Sequence, residues 1–437
     1  MPDSRVAVTG VGVVSSAGIG VGPFWEALTA GQQSVKTIDL FDASGFGCNV
    51  GGQLDSFSAR KFVPKDYRKA VKVMARDIEI AVAAADLAFR DAGIVTPGTD
   101  PENASVDPKR LGCSIGAGLI CTDLNEIGSA INTAVVDGKF DLQAWGREGI
   151  NNLTPLWLLK YLPNMLSCHV TIIHKAEGPS NCITCGACSA HLAAAESARI
   201  IERKAADVVI AGGAESKLNP MGLLRQDLLK RLATGHNGTV GPAARPFDAS
   251  HDGTVPGEGG GLLVLEDMDR ALARGAEIYA ELVGFAGACD PAGAAVTQRN
   301  AGGLDVAVRK AIAQAGIGPE DIDLIVAHGT GVADEDAAEC QAWQQAMGPA
   351  AADVPAFAIT GSIGSLFAGA GGCELAAALM AIKTQTVPPT VNHASPSDGC
   401  VLNLASHARS AEINYVVSGA FSIGGQSGAC VFKRYEG

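Results

Sequence analysis

The amino-acid sequence predicts an α/β fold made of two similar halves. Short β-branched segments alternate with Ala-rich helical segments, and the alternation starts again after Asp290. Hydrophobic residues make up 47% of the 437 residues and charged residues only 18%, with 54 glycines, which is typical of a compact α/β chain. Because no low-complexity linker separates the halves, we expect one body of parallel strands covered by helices.

The predicted elements follow from apolar runs at strand or helix spacing. In the first half we expect strands at residues 6–8, 207–211, 261–265 and 278–283, and helices at 24–29 and 77–92. In the second half we expect helices at 304–315, 335–347 and 374–384, and strands at 324–327, 415–420 and 429–433. Gly212 and Gly213 are expected to end the 207–211 strand. We divide the chain into halves 1–265 and 266–437.

Charge and hydropathy exclude several classes of partner. The formal net charge is −13, whereas nucleic acids and anionic membranes favour clustered Lys and Arg. No run of about 18 apolar residues is present, so we expect no membrane span. The twelve cysteines are irregularly spaced and no export signal is recognisable. We therefore expect reduced thiols and a cytoplasmic location.

A small basic patch at Arg225, Lys230 and Arg231 stands out in this acidic chain. One interpretation is a docking site for an acidic carrier protein. The other is an ordinary solvated helix face. The sequence alone leaves both interpretations open.

Two motifs suggest cofactors but do not complete the pattern. The segment 10–15, GVGVVS, follows a strand but lacks the third glycine of a dinucleotide-binding turn, so we expect a tight strand-to-helix turn. Cys182, Cys185 and Cys188 form C-x2-C-x2-C, yet Leu192 stands where an iron–sulfur run would need its fourth cysteine. Zinc would need a fourth ligand from elsewhere. We therefore expect small cysteines near a strand-to-helix turn and no metal.

Several segments together resemble the β-ketoacyl-acyl-carrier-protein synthases of the thiolase superfamily. The resemblance covers nearly the whole chain and is carried by VAVTGVGVVSSAG, GPSNCITCGACSAHLAAAESARIIERKAADVVIAGGAE, ARPFDASHDGTVPGEGGG, the HGT segment, VPPTVNHASPSDGC and FSIGGQSG. The resemblance implies a thiolase-like fold, in which two pseudo-symmetric halves form a five-layered α-β-α-β-α body. It also implies a dimer.

The family's nucleophilic cysteine has no counterpart here. In the family it lies eight positions after the proline of a Gly-Pro pair and 28 positions before the glutamate of an AGGAE segment. Counting from Pro179 and counting back from Glu215 both reach Ala187. An alignment with one gap places Gly186 there, which also lacks a nucleophile. Cys188 is the neighbouring thiol that could substitute.

Two further catalytic positions of the family have also changed. Its first active-site histidine corresponds to His328, which is present. Its second histidine and the lysine before it belong to a KSxTGH motif. Counting back from Glu374 places Ser365 at that histidine and Thr360 at that lysine. The resemblance therefore implies that three of four catalytic groups are gone and that the site is inert for chain elongation.

The pattern is similar to the chain-length-factor subunit of type II polyketide or fatty-acid-like synthases. That resemblance implies a non-catalytic subunit of a 3-oxoacyl-carrier-protein synthase, which pairs with an active ketosynthase α subunit and shapes its acyl tunnel. Candidate residues of the tunnel wall or gate are Leu119, Ile120, Thr122, Phe421 and Ile423. The alternative interpretation of these residues is ordinary core packing.

Two other functions stay open at this point. One is altered acyl-transfer chemistry that uses Cys188 or His328. The other is a homodimer that binds an acyl chain without turnover. In all three cases we expect no bound cofactor, because the substrates of such a complex are phosphopantetheine thioesters of an acyl carrier protein.

Overall fold

The computed structural model of the chain describes residues 4–235, 242–291 and 302–437. Strands and helices alternate through both halves, as the hydrophobic pattern predicts. In chain order the strands are β1 (Val6–Ser15), β2 (Gly18–Ile19), β3 (Lys36–Thr37), β4 (Val50–Gly51), β5 (Leu111–Ala117), β6 (Val135–Val136), β7 (Lys139–Phe140), β8 (Ser180–Ile183), β9 (Val208–Ser216), β10 (Glu258–Asp267), β11 (Ala280–Cys289), β12 (Leu324–Val326), β13 (Pro355–Phe357), β14 (Thr386–Val387), β15 (Asn403–Leu404), β16 (Arg409–Ser410), β17 (Tyr415–Phe421) and β18 (Gln426–Lys433).

The five expected helices are present, and each begins within four residues of its expected position. In chain order they are α1 (Val21–Thr29), α2 (Arg76–Asp91), α3 (Leu124–Thr133), α4 (Leu142–Arg147), α5 (Met165–His174), α6 (Ser189–Glu202), α7 (Pro220–Leu228), α8 (Met268–Ala273), α9 (Gly302–Ala315), α10 (Ala333–Met347), α11 (Ala350–Asp353), α12 (Thr360–Ile363) and α13 (Ala370–Thr384). No helix of the described ranges has the length and hydropathy needed to cross a bilayer.

The same sequence of parallel and antiparallel strand pairings occurs in both halves. The main sheet runs β15-β13-β12-β17-β18-β11-β1-β10-β9-β5-β8. From β8 inward to β1 the pairings are parallel, parallel, antiparallel and antiparallel. From β13 inward to β11 the same four pairings recur. The duplication expected from the sequence is confirmed, but the strands form a mixed sheet rather than the parallel one we expected.

Helices cover the strands in five layers. Helices α2 and α5 pack on the strands of the first half, α9 packs on those of the second, and α10 packs against α9. Helices α6 and α13 contact strands of both halves and form the middle layer. Thirteen of the fifteen residues of α13 are buried, which explains its nearly continuous apolar sequence. This arrangement is the thiolase-like fold.

The glycines of the first strand serve packing and not a turn. The expected strand-to-helix turn at residues 10–15 is wrong, because β1 continues through Ser15. A side chain at Gly10 or Gly12 would collide with the backbone carbonyl oxygens of Ala88 and Ala84 in α2. The glycines therefore allow the helix to lie directly against the strand.

Glycines extend a second strand that we expected them to end. Strand β9 runs from Val208 through Gly212 and Gly213 to Ser216, and both glycines pair with β10. A side chain at Gly213 would collide with the carbonyl oxygen of Ala368. The strand thus carries Glu215 farther than predicted, into the wall of a cavity described below.

Candidate active site

A cavity of about 810 Å³ lies where the two halves meet. It contains residues of both halves, and several of them are charged although buried. No cysteine lines it among the residues that the structure describes. The lining residues discussed below are Leu119, Gly186, Ala187, Glu215, Lys217, Arg225, Arg231, His328, Glu335, Ser365, Phe367, Phe421, Ser422 and Ile423.

Ala187 lies in a tight 3-10 turn, Gly186–Cys188, that leads directly into helix α6. Gly186 adopts a φ of +62°, and a side chain there would contact the Ser422 hydroxyl at 2.6 Å. That hydroxyl donates to the carbonyl oxygen of Cys185 at 2.7 Å, so a loop of the second half supports the turn. The turn presents the methyl group of Ala187 to the cavity.

The neighbouring thiol of Cys188 points elsewhere. It is completely buried and donates a hydrogen bond to the carbonyl oxygen of Cys185 at 3.1 Å. Burial raises its pKa to about 12, so the thiolate needed for nucleophilic attack is scarce at neutral pH. Cys188 does not line the cavity, which argues against its use as a substitute nucleophile.

Two buried carboxylates shape the loop that carries His328. Glu339 on α10 accepts hydrogen bonds from the backbone N–H groups of His328 at 2.7 Å and Gly329 at 2.8 Å. Asp336 on the same helix accepts from the N–H groups of Thr330 at 2.8 Å and Gly331 at 3.1 Å. The loop therefore has a fixed conformation although it follows the short strand β12.

His328 is paired with a third buried carboxylate. Its Nδ1 atom lies 2.6 Å from Oε1 of Glu374 on the central helix α13. Burial disfavours the imidazolium, but Glu374 and the nearby Glu339 outweigh burial and raise the pKa of His328 to about 9. At neutral pH the ring is therefore charged, and it remains a hydrogen-bond donor in the cavity wall. The hydroxyl of Thr360 donates to the carbonyl oxygen of His328 at 3.0 Å.

Ser365 lines the cavity on a segment held from two sides. Its N–H donates to the carbonyl oxygen of Val255 at 2.7 Å. Farther along the segment, Phe367 has a φ of +52° and the N–H of Ala368 donates to Oε2 of Glu215 at 2.7 Å. The segment is thus well supported, and Ser365 offers the cavity a hydroxyl.

Charged side chains in the cavity wall are mostly paired. Lys217 pairs with Glu215 and donates to the carbonyl oxygen of Leu119 at 3.0 Å. Arg231 forms two hydrogen bonds of 2.7 Å with Glu335. Of the expected basic patch, Arg225 and Arg231 line the cavity. Lys230 is exposed and lies outside the lining.

The expected tunnel residues divide into two groups. Leu119, Phe421 and Ile423 line the cavity, and the ring of Phe421 lies 5.9 Å from that of His328. Ile120 is instead buried in the core of the first half, and Thr122 is outside the cavity lining. Strand β5 ends at Ala117, so residues after it follow a loop and not the strand's alternation.

The sequence analysis missed the polar cluster behind His328. His191 on α6 accepts or donates a hydrogen bond with the Ser418 hydroxyl at 2.8 Å, and its Nε2 atom lies 3.9 Å from Oε2 of Glu374. Burial lowers the pKa of His191 to about 3, so this ring is neutral. Glu374 served only as a landmark for counting. Glu374 is the one acid in a helix that is otherwise apolar up to Lys383. An isolated acid in such a helix was the signal that it has a buried partner.

The three cysteines of the C-x2-C-x2-C motif do not converge. The Cys182 thiol donates to the carbonyl oxygen of Pro163 at 3.2 Å, whereas that of Cys188 donates to Cys185. Within the described ranges, no group of three or more His, Cys, Asp or Glu side chains is arranged to hold a metal ion.

Comparisons with known proteins agree with this geometry. Residues 3–271 match the N-terminal domain of β-ketoacyl synthases and residues 279–394 match the C-terminal domain. The chain is 32% identical to 3-oxoacyl-[acyl-carrier-protein] synthase 2 of Vibrio cholerae, over 99% of this chain and 100% of the relative. It is 31% identical to the tetracenomycin polyketide synthase ketoacyl synthase alpha subunit of Streptomyces glaucescens, over 99% and 97%.

Solved structures also match this chain over nearly its whole length. The ishigamide ketosynthase/chain length factor matches with a TM-score of 0.84 and 26% identity, over 99% of this chain and 100% of that one. A β-ketoacyl synthase from Burkholderia phymatum matches with a TM-score of 0.85 and 27% identity, over 99% and 100%. The family models cover well over half of the chain, and the described residues reproduce the fold of these solved structures. This chain belongs to the β-ketoacyl synthase family.

Proposed function

We propose that this chain is a non-catalytic, chain-length-factor-like subunit. It pairs with an active β-ketoacyl synthase and forms part of the acyl tunnel used in type II polyketide or fatty-acid-like biosynthesis. The complex has 3-oxoacyl-carrier-protein synthase activity, and the nucleophile comes from the partner. We also propose a cytoplasmic location, which the twelve free thiols support.

One observation carries this proposal: the cavity keeps its imidazole and lacks its thiol. His328 retains its supporting carboxylates, while Ala187 offers only a methyl group and no cysteine stands in the described lining. Formation of an acyl thioester requires a thiolate that attacks the incoming acyl group. Without that thiolate the covalent step cannot begin in this chain.

The outer edge of the sheet supports the expected partner. Strand β8 is the last strand of the sheet, and no further strand among the described residues pairs with its outer side. An open edge of this kind is a template for pairing with another chain. Large apolar side chains are exposed between residues 119 and 172, including Phe140, Leu142 and Leu158 at 54%, 74% and 50%. Such a concentration is typical of a protein interface.

A basic segment supports docking of an acyl carrier protein. The 3-10 segment Lys65–Val73 exposes Lys65, Arg68, Lys69 and Lys72 on a protein whose net charge is −13. Local positive charge on an acidic protein favours an acidic partner. An acidic carrier protein fits this requirement better than a nucleic acid does.

Co-expression with an active ketosynthase tests the proposal. We expect the two chains to purify as a heterodimer by native mass spectrometry, and elongation of an acyl-carrier-protein thioester to require both. The chain alone should not elongate. A homodimer that carries a bound acyl chain, with no effect on the ketosynthase, would support the acyl-binding alternative instead.

Matched surface variants sharpen that experiment. Leu158→Asp places a charge on the apolar surface near the sheet edge, and Leu272→Asp places one on helix α8. The two leucines are similarly exposed, at 50% and 46%. We expect Leu158→Asp to abolish co-purification and Leu272→Asp to preserve it. Equal effects would contradict the proposed interface.

Covalent labelling separates this proposal from altered acyl-transfer chemistry. After incubation with a chloroacetyl-carrier-protein probe, intact-protein mass spectrometry should detect no adduct on Cys188, because that thiol is buried and its pKa is raised to about 12. A stoichiometric adduct at Cys188 or His328 would instead support an enzyme with its own chemistry.

A further inference from the structure

One cation in the cavity wall has no acidic partner within the described ranges. Arg225 lies on helix α7 and lines the cavity, and its side chain is half-buried. Its Nη1 atom donates a hydrogen bond to Sγ of Cys121 at 3.1 Å. A thiol sulfur is a weak acceptor, and a guanidinium has five N–H donors. The contact with Cys121 therefore leaves this cation able to bind an anion.

The other cations of the lining already have carboxylate partners. Lys217 pairs with Glu215, and Arg231 forms two hydrogen bonds of 2.7 Å with Glu335. The ring of His328 lies against a buried carboxylate on the central helix. Because each of these cations is neutralised by its own carboxylate, the guanidinium on α7 gives the lining an excess of positive charge. A ligand with one negative group would complement that charge.

Apolar side chains line the same cavity. Leu228 and Leu229 are exposed, so the cavity opens to solvent beside them, whereas Phe421 is buried. Phe367 and Ile423 add further apolar surface to the wall. The volume of about 810 Å³ lies in the range of small-molecule sites, about 300–1,000 Å³, which combine apolar walls with a few polar groups that fix the ligand's orientation.

We propose that this cavity binds a small free carboxylic acid with an apolar body, and that Arg225 pairs with the carboxylate. A planar guanidinium matches the two oxygens of a carboxylate and holds both with parallel hydrogen bonds. The apolar body then packs against Leu229, Phe421 and Ile423. Neither interpretation of the basic patch, a carrier-protein docking site or a solvated helix face, includes this role for Arg225.

Calorimetric titration of the full-length chain with three probes tests the proposal. Octan-1-ol has the apolar body of octanoate without its charge, and acetate has the charge without the body. We expect octanoate to bind with one-to-one stoichiometry and more tightly than either of the other two. Equal affinities for octanoate and octan-1-ol, or no binding of octanoate, would overturn the proposal. The chain alone suffices for this test, so the outcome does not depend on its pairing with a ketosynthase.

Variants of Arg225 locate the carboxylate. Arg225→Gln should weaken octanoate binding roughly 10- to 100-fold, the usual effect of a charge-assisted hydrogen bond, and leave octan-1-ol binding unchanged. Arg225→Lys should bind octanoate with intermediate affinity, because an ammonium keeps the charge but loses the planar fork. It also provides a second variant if Arg225→Gln folds poorly. Unchanged octanoate binding in both variants would overturn the assignment of Arg225.

Lys230 is the matched control for charge. It is an exposed cation five residues after Arg225 and lies outside the cavity lining. Lys230→Gln should bind octanoate as the unmodified protein does, and a loss equal to that of Arg225→Gln would place the anion on the helix surface instead. Ile423→Trp, which fills the cavity, should also weaken octanoate binding; undiminished binding would place the ligand outside the cavity and overturn the proposal.

Discussion

The turn around Ala187 in the first half and the loop of His328 in the second half offer the cavity different side chains. The turn around Ala187 keeps its left-handed glycine, its support from Ser422 and its position before helix α6, but it carries no reactive group. The loop of His328 keeps both its imidazole and the carboxylates of Glu339 and Glu374. The comparison shows that both segments are held by hydrogen bonds that also stabilise the fold, whether or not the side chain facing the cavity is polar.

The largest expected effect concerns Glu374, the buried partner of His328. Glu374→Ala should lower the free energy of unfolding by about 3–5 kcal/mol, since it leaves an uncompensated buried charge. Urea unfolding followed by circular dichroism measures the change. Glu102→Ala, at an exposed position, should have little effect. Similar losses in both variants would mean that the second half does not depend on this pair.

A second experiment asks whether a thiol at position 187 is enough to restore chain elongation. Ala187→Cys should react with a haloacetyl probe but should elongate poorly, because Ser365 cannot supply the imidazole donor. The double variant Ala187→Cys/Ser365→His should be faster by about 10²–10³-fold, the usual effect of one oxyanion donor. Single-turnover elongation measures both rates. Equal rates would show that the supporting structure alone suffices.

The stability of the protein should depend on pH through His328 in the second half. The pKa of His328 is raised to about 9 in the folded protein, against about 6.5 for an unfolded histidine. Its stabilising effect is therefore complete below about pH 6.5 and is lost as the pH rises through about 9. Denaturant unfolding across this range should show the decline. In His328→Asn the decline should be absent; a decline of the same size would assign it to other groups.

The smallest expected effect concerns the contact between the halves at the turn. Ser422→Ala removes the hydrogen bond to the carbonyl oxygen of Cys185 and should cost about 1 kcal/mol. Ser406→Ala, at an exposed position, should change the free energy of unfolding less. Thermal and denaturant unfolding measure both. An unchanged Ser422→Ala protein would show that the turn is stabilised within the first half alone.

The sequence was sufficient for the fold and for the position of Ala187 in the cavity wall. Helix α2 was expected at residues 77–92 and spans Arg76–Asp91, because a long apolar periodicity specifies a helix well. Ala187 was identified by counting between fixed motifs, and the structure has it in the cavity wall. The pairing of His328 with Glu374 was not predicted, since the two lie on different elements that only the fold brings together.

Most of the wrong predictions from the sequence concern glycines and loop residues. Gly10, Gly12 and Gly212 were interpreted as turn signals, but they lie within strands and allow close packing. A glycine gives the same local signal in both settings, and only the tertiary neighbours distinguish them. Ile120 and Thr122 were assigned to the cavity, yet the direction of side chains in a loop follows no period.

The close packing of helix α2 on β1 has a consequence for the shape of the cavity. The helix that rests on Gly10 and Gly12 also carries Asp77, which accepts a hydrogen bond from the N–H of Ser216 at 3.2 Å, next to Glu215 in the cavity wall. A methyl group added to the first strand would displace the helix and, through it, that wall. Substitutions at these two glycines should therefore reshape the cavity even though neither glycine lines it.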